Sequence, residues 1–429
     1  MARGQKKEKK ELTPEERLQQ ALVPEEEWPY ELPEGWKWVH LSPGAAECLD
    51  EFRKPVNATE RATRQGNIPY YGATGQVGTI DDYLTDEQLV LVGEDGAPFL
   101  DPYKDKAYLI EGKAWVNNHA HILKSYYGSI GNDYLMHYLN TFNFHDYVNG
   151  TTRLKLTQAS MCTIPVPFPP IAIQKNIVEF INQEFQRVEE ARCQIQSILD
   201  NSEERKQSIL HKAFIGELTK KWRTEHQIKL VSWKHMPLKE ACNGLKYGTA
   251  SKSQKEGTVA VIRMGNLQDG EIDWSNLVYS NNAEDNEKYC LHSGDVLFNR
   301  TNSSELVGKT AIYRGEQPAI YAGYLIKLDY KTFIDGEYLN YIMNSPEEKQ
   351  YCNQVKSDGV NQSNVSAAKI GDFEIPVPSL DEQHEIVCVL RNCIENDKAV
   401  INTARAAMEQ LEETKKSILN KAFHGELIQ

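Results

Sequence analysis

An eleven-residue segment occurs twice in this chain, and that recurrence limits the possible folds more than any other feature. The first copy is Ser208-Ile209-Leu210-His211-Lys212-Ala213-Phe214-Ile215-Gly216-Glu217-Leu218. The second is Ser417-Ile418-Leu419-Asn420-Lys421-Ala422-Phe423-His424-Gly425-Glu426-Leu427. The offset is 417 − 208 = 209 residues, and it also relates Gln174, Ile177 and Val178 to Gln383, Ile386 and Val387. Glu203, Glu204 and Lys206 match Glu412, Glu413 and Lys415 in the same way. No insertion falls between the ends of the repeat. Loops tolerate insertions and packed helices do not, so a gapless pair predicts two rigid helices, and a long internal repeat sets the architecture.

Heptad spacing supports this. Ile181, Phe185, Val188, Arg192, Ile195, Leu199, Ser202, Lys206, Ile209 and Ala213 follow steps of four and three. So do Leu390, Ile394, Asp397, Ile401, Ala404, Met408, Leu411, Lys415, Ile418 and Ala422. Each series is a coiled-coil seam, with Arg192, Asp397, Lys206 and Lys415 as polar breaks that fix register at some cost in stability. A wholly helical segment from Gln174 to Phe214 would rise about 60 Å. Phe-x-Gly then places Gly216 and Gly425 just past the last apolar turn, where a left-handed glycine closes a helix cheaply. Val166-Pro167-Phe168-Pro169-Pro170-Ile171 and Ile375-Pro376-Val377-Pro378-Ser379-Leu380 are the two entrances. Proline keeps its neighbours extended, so each reads as a stiff strap. Asp381 and Glu382 suit the positive end of the second helix; Ile173 offers the first helix no such group.

A proline strap, Gln-x-x-Ile-Val, a long heptad helix and Ser-Ile-Leu-x-Lys-Ala-Phe-x-Gly-Glu-Leu, all occurring twice, resemble the specificity subunit of type I restriction-modification enzymes. Leu32-Pro33-Glu34-Gly35-Trp36-Lys37-Trp38 resembles the family's lead into its first target-recognition domain. Gly294-Asp295-Val296-Leu297-Phe298-Asn299-Arg300-Thr301-Asn302-Ser303, with Leu306-Val307-Gly308-Lys309-Thr310, resembles a motif inside the second. The resemblance covers nearly the whole chain from Leu32 onward. The fold expected is mixed α/β (α+β): two similar globular recognition domains separated by two long antiparallel coiled-coil helices, in a pseudo-twofold repeat. The boundaries expected are a tail over 1–27, a first recognition domain over 28–165, and a central helix over 166–222. A second recognition domain over 223–374 and a C-terminal helix over 375–429 complete the chain.

Between the helices the pattern changes. Leu89-Val90-Leu91-Val92, His119-Ala120-His121-Ile122-Leu123, Val259-Ala260-Val261-Ile262 and Val296-Leu297-Phe298 are short apolar or alternating runs bounded by turn residues, which predicts strands. Tyr134-Leu135 through Tyr138-Leu139 has helical spacing, matched by Tyr338-Leu339 through Ile342. Trp36 and Leu41 pair with Trp233 and Leu238 at a common offset of 197. The halves therefore read as one fold with diverged loops. Ahead of them, Lys6, Lys7, Lys9 and Lys10 form a basic tail, and Thr13-Pro14-Glu15-Glu16 is a capping box with proline in the first turn.

A net charge of −13 argues against coating a polyanion wholesale but not against local basic patches. The eight cysteines form no C-x-x-C pair, and Cys388 and Cys393 fall on a predicted helix as small hydrophobes. A reduced cytoplasm fits this usage. No run is apolar enough to span a bilayer, so no membrane partner is expected, and the lysine-rich start lacks the apolar core of a signal peptide.

No credible active site emerges. Leu306-Val307-Gly308-Lys309-Thr310 has the end of a phosphate-binding loop, but the glycine needed five residues before Gly308 is Ser303. His119 and His121 alternate on a strand without a third ligand, so no metal site is expected. No Asn/Asp-Pro-Pro-aromatic methyltransferase motif occurs. DNA contact has better support. Arg61, Arg64, Tyr70, Tyr71 and Thr74 form one candidate set, and Thr151, Thr152, Arg153 and Lys155 another. In the second half the candidates are Lys246, Tyr247, Thr249, Ser251, Lys252, Lys255 and Arg263. Arg300, Thr301, Asn302, Ser303 and Lys309, then Asn361, Gln362 and Ser363, complete them; Gly150 and Gly359 open polar turns at the 209 offset. Lysine and arginine neutralise phosphates, while arginine, asparagine and glutamine also pair with base edges.

The resemblance implies a non-catalytic DNA-reading subunit with one half-site per recognition domain and a spacer set by the helices. It implies double-stranded DNA, two methyltransferase subunits and, through these, restriction-translocase subunits as partners. S-adenosylmethionine, ATP and magnesium would sit on those partners, with no cofactor on this chain. Lys212, Phe214, Glu217, Lys421, Phe423 and Glu426 are the expected subunit interface. A coiled-coil adaptor binding protein alone is the alternative; a nucleotide-driven enzyme is a distant third.

Overall fold

The computed structural model describes residues 13–359 and 362–427; the Lys6–Lys10 tail and Asn361 lie outside them. The chain forms two compact units, one of residues 1–195 with 405–429, the other of residues 196–404. Each joins a globular half to the start of one long helix and the end of the other.

The first unit is built on an antiparallel sheet in the order Ala46–Cys48, Ala120–Ser125, Leu89–Gly93, Ala107–Ile110. Leu89 to Val92 are all buried because both faces of their strand are covered. Val90 and Val92 pack with Tyr134 and Tyr138 of the helix Gly128–Thr141, while Leu89 and Leu91 pack with Ile110, Val116 and Ile122. That two-sided burial explains a continuous apolar run where a half-exposed strand would alternate. A second sheet pairs Ile68–Gly72 with Gly75–Ile80 and, in parallel, with Lys113–Val116.

The second unit repeats the plan. Its antiparallel sheet runs Cys242–Tyr247, Leu325–Tyr330, Val296–Asn299, Thr310–Ile312. Val296 and Phe298 face the core of Tyr338, and Leu297 faces the opposite cluster. Val259–Ile262 pairs with Val278–Ser280 and, in parallel, with Ala319–Tyr321. The proline straps are edge strands, where a missing N–H is harmless: Pro165–Phe168 pairs with Lys37–His40, and Glu374–Val377 with Lys234–Pro237. The Tyr134 hydroxyl donates to the Pro167 carbonyl at 2.6 Å, and Tyr338 donates to Pro376 at 2.7 Å.

The second long helix is unbroken from Leu380 to Phe423. The first is not: Ile171–Asp200 and Ser202–Phe214 meet at Asn201, whose φ of −84° and ψ of 7° leave the helical region. The expectation of a wholly helical first segment is corrected here. Arg205 Nη1 takes the Ile198 carbonyl at 2.7 Å, and Asn201 Nδ2 bonds Ser197 Oγ at 3.2 Å. Asparagine, a weak helix former that bonds locally, suits the interruption.

Within each unit the two helices run antiparallel. In the first, Ile177 and Ile181 share a core with Leu419 and Ala422, and Glu189 pairs with Lys415. In the second, Leu210 and Ala213 share a core with Ile386, Val387 and Leu390, and Arg205 meets Asp397 at 2.8 Å. The polar seam positions are thus partnered; Lys206 reaches Asp269 at 3.1 Å, and Arg192, which is exposed, pairs with Glu189 at 3.5 Å. Gly216 and Gly425 take φ of +79° and +73°. The N–H of the next residue reaches back to the Lys212 and Lys421 carbonyls respectively, each at 2.9 Å. This is the glycine closure expected of Phe-x-Gly. Glu382 does more than face a helix dipole. It is buried, accepting from Arg223 Nη1 at 2.7 Å, Trp233 Nε1 at 2.8 Å and Thr219 Oγ1 at 2.9 Å.

Candidate nucleic-acid interface

In the second unit, three stretches distant in sequence meet where the strand Val296–Asn299 ends. Thr301–Asn302 pairs with Ser363–Asn364, which pairs with Ser357–Asp358. Arg300 is the hub. Its Nη2 donates to Asn364 Oδ1 at 2.9 Å, and its guanidinium lies 4.9 Å from the centre of the Tyr247 ring. Tyr247 is held by the Ala367 N–H, which donates to its hydroxyl at 3.1 Å. Arg300 Nε is buried, with no hydrogen-bond partner among the described residues. A planar cation stacked on an aromatic and fixed by an amide presents directional donors at low entropic cost.

Around this hub the other candidates divide. Lys252, Lys255, Ser251, Ser303 and Gln362 are exposed, and the two lysines make no ion pair among the described residues. Lys246 is exposed but paired with Asp329 at 2.5 Å. Arg263 donates to the Asn276 carbonyl at 3.1 Å and lines a recess of about 300 Å³ with Met264, Asn266 and Tyr324. Lys309 turns to Gln268 Oε1 at 2.8 Å, away from Arg300's partners. Thr249 and Ser363 are corrections. Both are buried, with hydroxyls donated to Asp285 at 2.6 Å and Asp358 at 2.5 Å, so they brace the loops and cannot touch DNA.

The first unit has the same construction with different side chains. Val148–Asn149 pairs with Lys155–Leu156, and Asp95, two residues past Gly93, bridges to Lys155. Lys155 and Asn364 are equivalent, since 155 + 209 = 364. The turn leading into the neighbouring strand closes each site alike: the Glu94 N–H donates to the His119 carbonyl at 2.8 Å, and the Arg300 N–H to the Tyr324 carbonyl at 3.2 Å. Thr151, Thr152 and Arg153 are exposed at the tip. Arg153 and His119 converge on Asp95 Oδ1 at 2.7 and 2.8 Å, and Lys155 meets Glu94 at 2.9 Å. Burial pushes the Glu94 carboxyl up, but Lys155 and Arg53 outweigh it and hold it below the ordinary range. His121 belongs to the core. It is fully buried between Asp50 Oδ2 at 2.6 Å and the Leu156 carbonyl at 2.9 Å. Among the described residues no His/Cys/Asp/Glu cluster could hold a metal ion.

The other set in this unit is only partly exposed. Tyr70 is 2% exposed, and its hydroxyl accepts from the Val56 N–H and donates to the Val56 carbonyl at 3.1 and 3.3 Å, so its DNA role is withdrawn. Arg61 lies 4.8 Å over its ring and faces an open recess with Gln65, Asn67 and Thr79. Arg64 stacks 4.5 Å over Trp115 and meets Asp81 at 2.7 Å. Tyr71 is half-buried against Tyr108, and Thr74 is exposed on the hairpin. Of the expected subunit contacts, Lys212, Glu217, Lys421 and Glu426 are exposed. Phe214 and Phe423 are buried: Phe214 lies edge-on to Tyr338 at 5.6 Å, and Phe423 edge-on to Tyr134 and Tyr138 at 5.2 and 5.3 Å. They fasten helix ends to globular halves and leave nothing for a partner to grip.

Residues 50–196 and 231–410 match the family model described as the type I restriction modification DNA specificity domain. The chain belongs to the type I specificity family. It is 26% identical over 277 residues to the EcoKI specificity subunit of Escherichia coli, covering 63% of this chain and 59% of that one. Over 313 residues it is 25% identical to the StySPI specificity subunit of Salmonella potsdam, covering 70% and 66%. The chain spans about a third to two thirds of the length of the curated relatives it matches. The fold is similar to that of the HsdS subunit from Thermoanaerobacter tengcongensis, with a TM-score of 0.59, 17% identity, and coverage of 94% of this chain and 100% of that one. A chain from a structure of type I R-M complex assembly and conformational transition gives a TM-score of 0.64 at 18% identity, covering 93% and 100%. No helix among the described residues is long and apolar enough to cross a membrane.

The residues missed by sequence reasoning are Glu94, Asp95 and His119 in one unit and Lys356 and Asn364 in the other. Lys356 Nζ reaches Ser304, bracing the Arg300–Ser303 stretch. Asn364 carried a signal, being Lys155 shifted by the repeat; the acids had none.

Proposed function

We propose that this chain is the DNA-reading subunit of a type I restriction-modification enzyme. Each globular half, about 28–165 and 223–374, reads one half-site of a bipartite target, and the paired helices set the unread spacer. The observation that carries this reading is the duplicated site at the end of one sheet strand, Leu89–Gly93 in one unit and Val296–Asn299 in the other. The scaffold is the same, while the side chains presented are Asp95, His119 and Arg153 in one and Arg300, Asn302 and Tyr247 in the other. Unlike donor and acceptor sets on one scaffold suit two different half-sites. In the first half the carboxylates suit a cytosine amino group, and the cations they hold become available to phosphates as DNA approaches.

The chain is non-catalytic in this reading. Two methyltransferase subunits supply S-adenosylmethionine chemistry, and restriction subunits using ATP and magnesium join through them, in the cytoplasm. Lys212, Glu217, Lys421 and Glu426 are docking candidates on exposed helix ends. The test is to map methylated adenines in DNA from cells carrying the intact system, then repeat it with residues 223–374 exchanged for those of a relative. A target in which one half-site changes and the other persists supports the reading. Unchanged methylation, or no duplex bound even with partner subunits present, refutes it in favour of a protein-only adaptor.

A further inference from the structure

Cys48 and Cys162 meet in the first unit although 114 residues separate them, since 162 − 48 = 114. Cys48 ends the edge strand Ala46–Cys48, and Cys162 ends the short helix Gln158–Cys162. Gln158, one turn before Cys162 on the same helix face, donates from Nε2 to Cys48 Sγ at 3.2 Å. Both cysteines pack against the same buried core, so this bond ties the helix of Cys162 to the strand end at Cys48. Both cysteines are half-buried. Neither contributes to the polar site, although the helix bearing Cys162 follows directly on the Lys155–Leu156 arm of the Thr151–Arg153 turn.

We propose that Cys48 and Cys162 form a redox-active dithiol that hydrogen peroxide converts reversibly into an intrachain disulfide. Cys162 is the attacking sulfur. Its neighbours Cys48 and Ser42 hold the Cys162 thiol below its ordinary range, while Cys162 and burial raise that of Cys48. The thiolate is the reactive form. Cys162 attacks one peroxide oxygen and the O–O bond breaks; the departing hydroxide takes a proton and leaves as water, so that Cys162 becomes a sulfenic acid. The Cys48 sulfur then attacks the Cys162 sulfur, and the displaced hydroxyl leaves as a second water with the Cys48 proton. Two thiols and one peroxide give one disulfide and two waters. The bond closes nearly the whole first globular half into one loop and clasps the base of its polar turn, which restrains the unfolded chain most when the loop is long.

The full-length chain, reduced and desalted, is treated with one equivalent of hydrogen peroxide, alkylated and digested for mass spectrometry. The result expected is a Cys48–Cys162 linked peptide, loss of two of the eight thiols, recovery of both on reduction, and a higher Tm for the oxidised chain. Cys48→Ser should stop the reaction at a Cys162 sulfenic acid that dimedone traps. Exposed Cys193, Cys290 and Cys388, the last of which was expected to pack as a small hydrophobe and does not, are internal controls. Oxidation of Cys162 no faster than these, or linkage between chains with none between Cys48 and Cys162, overturns the proposal.

Discussion

The Lys-Ala-Phe motif is the most duplicated feature of the chain, and its phenylalanines are core anchors; Phe423→Ala tests that. Phe423 is 2% exposed, edge-on to two tyrosines of the helix Gly128–Thr141, and its carbonyl accepts from the Tyr30 hydroxyl at 3.1 Å. Truncating a buried phenylalanine costs about 3–5 kcal/mol, and the aromatic pairs place this one in the upper half of that range. At about 4.5 kcal/mol the local opening constant rises roughly two-thousandfold, against a domain stability of about 5–15 kcal/mol. Hydrogen exchange of the full-length chain reads this peptide by peptide. Amides from Tyr134 to Leu139 should lose protection, while those around Tyr338 in the other unit keep theirs. Phe214→Ala should do the reverse, because Phe214 meets Tyr338. If both variants keep full protection yet fail to bind methyltransferase subunits, the side chains contact a partner and the anchoring argument is wrong.

Arg300→Ala should weaken binding of the cognate duplex by the assembled enzyme by about 1–3 kcal/mol and relax base preference, whereas Lys252→Ala should weaken all duplexes alike and reduce the salt slope by about one; anisotropy titrations across a salt series separate the two. Glu382→Ala leaves Arg223 buried and unpaired, and should cost about 3–5 kcal/mol in chemical denaturation. Glu348 is fully buried, and burial raises its carboxyl to about 8 even though the Cys352 thiol donates to it at 2.8 Å. Its folded pKa lies above the unfolded value, so the folded state holds the extra proton and stability falls as pH rises from about 4.3 toward 8. Glu348→Gln should therefore raise Tm more at pH 8 than at pH 5; equal shifts at both pH values would show that the carboxyl ionises freely in the fold.

What was legible in the sequence is what packing makes rigid. The helices could be read because a gapless 209-residue offset survives only in elements that cannot absorb insertions. The strand Leu89–Gly93 could be read because burial on both faces leaves an unbroken apolar run. Asn201 was hidden because heptad spacing continues across it, and the interruption depends on Arg205 turning back to a carbonyl. At the site, residue type identified Arg300 and Arg153, but Tyr70, Thr249 and Ser363 differ from true surface residues only in which way one side chain points. Glu94, Asp95, Asp81 and Asp329 come from remote positions to meet candidate cations, and composition gives no sign of such pairing. An acidic chain can therefore carry local basic sites whose charge is held in check until a polyanion competes for it.

The most direct test of the two-lobe reading is to lengthen the helices by one heptad each, keeping the seam in phase, and to map the methylated target of the assembled enzyme. Seven helical residues add about 10 Å, comparable to three base-pair steps at about 3.4 Å. Both half-sites should stay as they were while the spacer between them changes length. A spacer that keeps its length, or half-sites whose bases change, would contradict the account.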